Sequence, residues 1–389
     1  YKTESRISKQ MSKITIKKAI ESAEHPILLE TVTQLEQAEQ SWNKSTILGI
    51  DTEFVRERTY RADLGLVQVS DGQTAWLFDP LKFQTYDPLA RLMENPGILK
   101  LLHSGSEDLE VLLNAVGAAP EPLVDTQIAC AMLGQSLQLG YHHALKWLFD
   151  VEIDKDQTRS NWLKRPLTRH QLRYAAMDVV LLPEMYKTLR DQLDESGRWS
   201  WLEEDVARMQ RNARNSIDPE IVYQRFAGIG RMDDQTLQVL KYLARWREEV
   251  AIARNRARGF VIPDATLLQM SRSKPTTKAG LQDVEGIHPV VMSRYADTLL
   301  SLVEEALADD TPVEKFAQLD EEQRAQLKQM RGVVTERSAK LGVDPALLAS
   351  RRELEKLIRA LEADAPIPER FLGWRKAVVT DELIGIASQ

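Results

Sequence analysis

Two carboxylates one residue apart at the end of an apolar run are the first feature of this sequence that could do chemistry. Ile47-Leu48-Gly49-Ile50 leads directly into Asp51-Thr52-Glu53-Phe54, and the two-residue period of a strand puts Asp51 and Glu53 on one face. Like charges forced together raise a pKa or demand a cation, and hard divalent metals take oxygen ligands of this kind. The same spacing recurs at Asp108/Glu110, Asp150/Glu152, Asp218/Glu220, Asp283/Glu285 and Asp320/Glu322, most of which read as solvated surface; strand context sets Asp51/Glu53 apart. A second cluster is Leu101-Leu102-His103-Ser104-Gly105-Ser106-Glu107-Asp108-Leu109. There a strand ends, and Ser104 with Glu107 forms the pattern of a capping box opening a helix. Asp108 is either a helix-dipole acid or, beside an inward stripe of Leu109, Leu113 and Val116, a carboxylate facing the sheet. The third cluster is Tyr174-Ala175-Ala176-Met177-Asp178, in a helix predicted over Thr168–Leu189. Of nine tyrosines, Tyr174 is the only one followed four residues later by an acid. The pair shares a helix face, and Ala175 and Ala176 permit close approach to a sheet. A phenol hydrogen-bonded one turn along is the alternative.

The elements that must carry these groups follow from periodicity. Short apolar runs at Ile47–Ile50, Leu64–Val69, Ala75–Phe78 and Ile98–Leu102 precede longer helical patterns, which predicts an α/β domain with its sheet toward the N-terminal side. Asp71-Gly72 predicts a hairpin between the second and third runs. Beyond residue 190 strand signals stop, and patterns such as Leu240, Leu243, Trp246 and Val250 predict helices to the end. Within that half, Val261–Leu268 is echoed by Leu341–Leu348, a weak repeat that predicts two helical domains. Asp309-Asp310-Thr311-Pro312 is the expected linker, with a boundary near 310. Residues 1–10 precede Met11 and read as an unstructured leader foreign to the fold.

A chain of 389 residues predicts two to three domains. Its 43% hydrophobic and 28% charged residues are those of a globular protein. No apolar run is long enough to span a bilayer and no secretory signal is present, so a cytoplasmic protein with no membrane partner is expected. The single cysteine, Cys130, excludes an internal disulfide and a thiolate zinc site. The net charge of −7 argues mildly against a nucleic-acid partner. Its distribution argues otherwise, with arginines concentrated in 207–260 and acids in 304–322. The basic helix bearing Arg245, Arg247, Arg254, Arg256 and Arg258 is either phosphate-binding or a solvated charged face. His103 and Arg165 stand beside the motifs as candidate phosphate contacts or structural donors, and Asp125 reads as a helix cap. No P-loop pattern occurs, which excludes a helicase and predicts no nucleotide cofactor. No heptad seam is evident, so a monomer is expected.

Together the three clusters resemble the DEDD superfamily of 3′–5′ exonucleases in its tyrosine-containing branch, and within it the ribonuclease D family. DTEFVRERTYRADLGLVQVSDG, LLHSGSEDLEVLLN, LVDTQIACAML and SNWLKRPLTRHQLRYAAMDVVLLPEMY carry the likeness over about 46–190. The stretch from GIGRMDDQTLQVLKYLARWREEV to LQDVEGIHP resembles the helicase-and-RNase-D C-terminal domain, and 313–389 looks like a diverged copy. The resemblance implies a ribonuclease H-like mixed sheet flanked by helices, followed by two all-α domains. The expected division is an extension over 1–26, an exonuclease domain over 27–205, and helical domains over 206–308 and 309–389. It further implies that Asp51, Glu53, Asp108 and Asp178 hold two Mg²⁺ or Mn²⁺ ions and that Tyr174 orients the attacking water. Nucleoside 5′-monophosphates would leave from single-stranded RNA 3′ ends, those of tRNA precursors among them. His103, Arg165, Arg254, Arg256 and Arg258 are the expected RNA contacts. A 3′–5′ DNA exonuclease and a catalytically inactive nucleic-acid-binding module are the competing readings.

Overall fold

The computed structural model describes residues 2–153, 160–215, 217–315 and 319–387; Tyr1 of the expected leader lies outside them. The rest of that leader is not unstructured. Helix α1 runs over Lys2–Ala23 and buries Ile16, Ala19 and Ala23 at helical spacing. The sheet and its helices follow: β1 (Ile27–Leu29), α2 (Val32–Trp42), β2 (Ile47–Val55), β3 (Asp63–Ser70), β4 (Ala75–Phe78), α3 (Asp87–Glu94), β5 (Leu99–Leu102), α4 (Ser106–Ala115), β6 (Leu123–Asp125), α5 (Thr126–Met132), α6 (Tyr141–Phe149), α7 (Arg169–Val180), α8 (Leu182–Glu195) and α9 (Trp199–Arg214). Beyond α9 the described residues form helices and turns without strands, chief among them α10 (Asp234–Ala253), α11 (Arg258–Val261), α12 (Asp264–Ser273), α13 (Lys278–Gln282), α14 (Pro289–Ala308), α15 (Glu321–Leu341), α16 (Pro345–Leu348), α17 (Arg351–Glu362) and α18 (Asp381–Ala387).

The six strands lie in the order β1-β4-β3-β2-β5-β6. β2 pairs antiparallel with β3 and parallel with β5, so the sheet is mixed. The Asp71-Gly72 hairpin forms as expected: β3 and β4 pair antiparallel, and Asp71 accepts the backbone N–H of Gln73 and of Thr74. Along β2, β5 pairs only with Ile47–Gly49, and α4 approaches β2 as well. The carboxylate-bearing half of β2 is thus supported by β3 on one side and by helices elsewhere. Helix α7 packs over β2, β3 and β4 through Ala175 and Ala176, both fully buried. Gly49 permits this approach, since a Cβ there would lie 2.7 Å from the Val179 carbonyl.

Two local expectations are corrected. The helix predicted over Thr168–Leu189 breaks at Leu181. Pro183 cannot donate to the carbonyl of Val179, and its ring would crowd that group in a continuous helix. The Ser104/Glu107 capping box does not form. Ser104 turns the chain in the left-handed region at φ 66°, and Gly105 caps α4, its N–H bonded to Asp125 at 2.8 Å. The buried stripe of α4 is Asp108, Leu109, Val111 and Leu112, shifted from the expected one so that Asp108 itself points inward.

Contacts divide the chain into two units. The first comprises 1–55, 63–214 and 320–389; the second comprises 56–62 and 215–319. In the first, the C-terminal helices are tied to α9 by a buried ion pair. Both terminal nitrogens of Arg375 donate to the Asp205 carboxylate at 2.6 Å, while its Nη2 also reaches the Leu347 carbonyl at 2.8 Å. Trp201 and Trp374 stack beside it at 4.4 Å. In the second, Leu237, Leu240, Leu243, Ile262, Leu267, Met270 and Leu299 form a separate apolar core. Asp309 accepts from Gln238 and Tyr242 and Glu314 from Tyr223, so the stretch around 310 is held in this unit and the division falls after Leu319.

Candidate active site

β2 delivers Asp51 and Glu53 to one face of the sheet, opposite Gln68 and Leu66 of β3. α7 delivers Asp178 to the same place. The three carboxylates can each bring an oxygen within 4.8 Å of the other two. Asp108 lies outside that trio: it is 7% exposed, and its carboxylate accepts a hydrogen bond from Thr52 Oγ1. It is nonetheless close enough to act on the others. Burial, then the charges of Asp108, Asp178 and Glu53, pushes the Asp51 carboxyl well above its ordinary range. Burial, then the charges of Asp178 and Asp108, pushes Glu53 up to about 9. Burial raises Asp178 to about 7 against the opposing hydrogen bond from Tyr174. It raises Asp108 to about 6 against the bond from Thr52.

No lysine or arginine figures among these influences on the four groups. A site that gathers carboxylates, withholds water and, among the described residues, shows no cation acting on them binds protons when empty and fits a divalent metal. The donor set is all oxygen, which suits hard ions and not thiophilic ones. Tyr174 hydrogen-bonds the Asp178 carboxylate one turn along, with its ring tilted against Trp162 at 6.2 Å. The phenol that the sequence offered as a water-orienting group is therefore held at the edge of the cluster by one of its members.

The family models place this geometry. One described as a 3′–5′ exonuclease matches residues 26–194, one described as the HRDC domain matches 236–303, and one described as the ribonuclease D C-terminal HRDC domain matches 322–383. Ribonuclease D of Pseudomonas paraeruginosa is 38% identical over 347 residues, covering 88% of this chain and 92% of that protein. The Escherichia coli ribonuclease D sequence is 33% identical, covering 86% and 91%. The crystal structure of E. coli ribonuclease D superposes with a TM-score of 0.86 at 31% identity, covering 94% of this chain and 99% of that one. The chain belongs to the ribonuclease D family. It is a 3′–5′ exoribonuclease, with the mixed sheet and helical C-terminal region of that family and an acidic cluster suited to divalent metal.

Several expected RNA contacts of this ribonuclease D family member are spent inside the protein. Arg165 uses all five guanidinium N–H donors: two meet the fully buried Asp79 at 2.7 Å each, and the others meet the carbonyls of Gly65, Trp162 and Lys164. In this arrangement it serves as a structural donor. His103 has Nε2 on the Leu139 carbonyl and Nδ1 on the Thr126 hydroxyl, both at 2.8 Å, so both ring nitrogens are engaged within the protein. Arg258 grips Glu248, Arg247 is buried against Asp264 and the Ile262 carbonyl, and Arg245 pairs with Glu220. The predicted basic helix ends at Ala253, and in the turn beyond it Arg254 and Arg256 remain exposed, lying over the rings of Tyr295 and Phe260 at 5.3 and 5.8 Å. Asp125 caps α5 as expected, accepting from Gln127 and Ile128.

Sequence reasoning missed Tyr141. Its hydroxyl donates to the Met177 carbonyl at 3.1 Å, and its ring meets His103 edge-on at 5.5 Å. Burial, then Asp178 and Asp51, drives its pKa well upward, which places it against the cluster. No acid follows it at helical spacing, so no pattern could mark it. Thr52, the bond partner of Asp108, was hidden by its position between the two strand acids.

Proposed function

We propose that Asp51, Glu53, Asp178 and Asp108 hold two divalent ions, Mg²⁺ or Mn²⁺, and that the chain uses them to shorten RNA from single-stranded 3′ ends. The observation that carries this reading is the trio of carboxylates within 4.8 Å of one another, their proton affinities raised by burial and mutual repulsion. The bound ions would supply acidification of the attacking water and charge stabilisation at the departing 3′-oxygen. The carboxylates keep the ions beside the terminal phosphodiester. Tyr174, positioned by Asp178, orients the water by hydrogen bond; a phenol with pKa near about 10 is mostly protonated at neutral pH and is no strong base. Water oxygen bonds to phosphorus, the bond from phosphorus to the 3′-oxygen breaks, and a nucleoside 5′-monophosphate leaves.

The E. coli relative is an exoribonuclease involved in structured RNA processing, which supports RNA over DNA as the substrate here; we take the 3′ tails of tRNA precursors to be among its targets. Exposed Arg254 and Arg256, each lying over an aromatic ring, suit a phosphate backbone with adjacent bases. We read the exonuclease domain as 27–205 and the two helical domains as meeting after Leu319, not near 308. The enzyme works as a monomer in the cytoplasm. No described helix is long and apolar enough to cross a membrane. The test is a time course on 5′-labelled 3′-tailed RNA and matched single-stranded DNA, with Mg²⁺, Mn²⁺ or chelator, for wild type and Asp51→Asn. Stepwise RNA shortening that needs metal and Asp51 is expected. Equal or faster loss of DNA overturns the substrate assignment, and hydrolysis that survives chelation or Asp51→Asn overturns the site.

A further inference from the structure

Gln68 of β3 stands directly opposite Asp51 in the antiparallel register of β2 and β3. Residues so paired present their side chains on one face, with Cβ atoms about 4.5–5.5 Å apart. It is the face that α7 covers, since Leu66, two positions before Gln68, and Leu77, opposite Gln68 on β4, both pack with Ala175. Gln68 is 0% exposed, yet neither its Nε2 nor its Oε1 has a hydrogen-bond partner; among the described residues it is the one side chain with both amide ends buried and unpartnered. Ser70, the next polar side chain on that face of β3, is by contrast engaged with the Thr74 carbonyl and the Gly72 N–H. Burying an amide without partners costs stability, so a native fold that keeps one there calls for a role. The carboxylates beside it differ in what they receive. Tyr174 bonds Asp178 and Thr52 Oγ1 bonds Asp108, whereas no side-chain donor figures among the influences on Asp51 or Glu53. All of these residues belong to the first unit.

We propose that Gln68 is a positioning residue of the active site, whose side-chain amide donates to the Asp51 carboxylate and holds it in the orientation that a divalent ion requires. A carboxylate that gives one oxygen to an ion leaves the other to be hydrogen-bonded, and donors in that outer position fix the direction of the ligand. Asp178 and Asp108 already have theirs in Tyr174 and Thr52. Gln68 is the unspent donor that the strand register sets beside Asp51. A neutral amide suits the task better than a lysine or an arginine, because it orients the carboxylate without competing with the ion for its charge. Packing alone gives no reason for an amide here: a methionine or a leucine would fill the space beside Leu66 and Leu77 with no polar atom to satisfy.

This inference rests on the proposed role of the carboxylates as metal ligands, and its test reads metal binding as well as turnover. Gln68→Met keeps the length of the side chain and removes the donor. It is compared with wild type in thermal melting without metal, in Mn²⁺ binding without RNA followed by electron paramagnetic resonance, and in hydrolysis of 3′-tailed RNA at saturating metal. The expected result is a metal-free melting temperature no lower than that of wild type, Mn²⁺ affinity weakened by at least about tenfold, and kcat lowered about tenfold with KM for RNA nearly unchanged. Unchanged Mn²⁺ affinity overturns the proposal. If Gln68→Met melts lower or does not fold, Gln68→Leu, smaller and equally apolar, separates a packing clash from a lost bond. A fall in both variants means that the amide is satisfied within the fold, and overturns the proposal; where Gln68→Leu melts as wild type does, its Mn²⁺ affinity decides by the same criterion. Wild type that binds no Mn²⁺ sensitive to Asp51→Asn overturns the metal reading and the proposal with it, whereas equal binding by wild type and the Gln68 variant overturns the proposal alone.

Discussion

Replacing Asp178 with asparagine should make the metal-free protein more stable while removing its activity, with a pH dependence that follows from the site. Burial raises the Asp178 carboxyl from an ordinary 3.8 to about 7. The folded protein therefore holds this proton more tightly than the unfolded chain does. Below pH about 4 both states are protonated and nothing is lost. Between about 4 and 7 the unfolded chain gives up a proton that the folded chain retains, so stability falls as pH rises and levels off above 7. At about 1.4 kcal/mol per pKa unit the full loss is roughly 4 kcal/mol. Because the neighbouring carboxylates share protons, about half of that, on the order of 2 kcal/mol, is expected to return in Asp178→Asn. For a folding unit of this size that is a Tm rise of about 4–8 °C. The amide keeps an oxygen for Tyr174 to bond, so local packing survives. Melting curves in chelator at pH 4.5 and pH 8 are the assay: the variant gains little at the lower pH and the full increment at the higher. Mg²⁺ should then stabilise wild type and not the variant, whose hydrolysis falls by at least about 100-fold. A variant that is no more stable at pH 8, or whose advantage is equal at both pH values, would refute the reasoning.

Tyr174→Phe should lower kcat on RNA by about 100-fold with little change in KM. By removing a hydrogen bond that favours the ionised Asp178, it should also move the acidic limb of the pH–rate profile to higher pH; an unmoved limb excludes the coupling. Arg165→Ala strands Asp79, which is fully buried, and should cost about 3–5 kcal/mol in urea denaturation. The fraction that stays folded should bind RNA with wild-type KM, and a large KM change would restore Arg165 as a substrate contact. Arg254→Ala and Arg256→Ala should raise KM for long RNA and reduce the salt dependence of binding by about one ion each. Unaltered salt dependence in both variants would leave that surface without an RNA role.

What the sequence discloses about this site depends on whether a residue's job is periodic. Asp51 and Glu53 were legible because a strand's alternation places them together, and Tyr174 and Asp178 because a helical turn does. Asp108 was legible as an acid near a helix start, but its inward direction depends on the left-handed turn at Ser104 and the capping of Gly105 by Asp125. Neither follows from the Ser104/Glu107 pattern, which the structure does not use. Charge counting failed for a related reason. A guanidinium reads the same in sequence whether it faces phosphate or a buried acid, and the partners of Arg165 and Arg258 are separated from them by 86 and 10 residues. Only folding shows that these two arginines are spent and that Arg254 and Arg256 are exposed. The same limit hid the division of the chain, because a break in composition near 310 says nothing of which core each side joins. Asp309 and Glu314 remain bonded to Gln238, Tyr242 and Tyr223, whereas Arg375, far along the C-terminal copy, is committed to Asp205. Local periodicity thus located the chemistry, and long-range pairing of buried charges decided which residues were left free to take part in it.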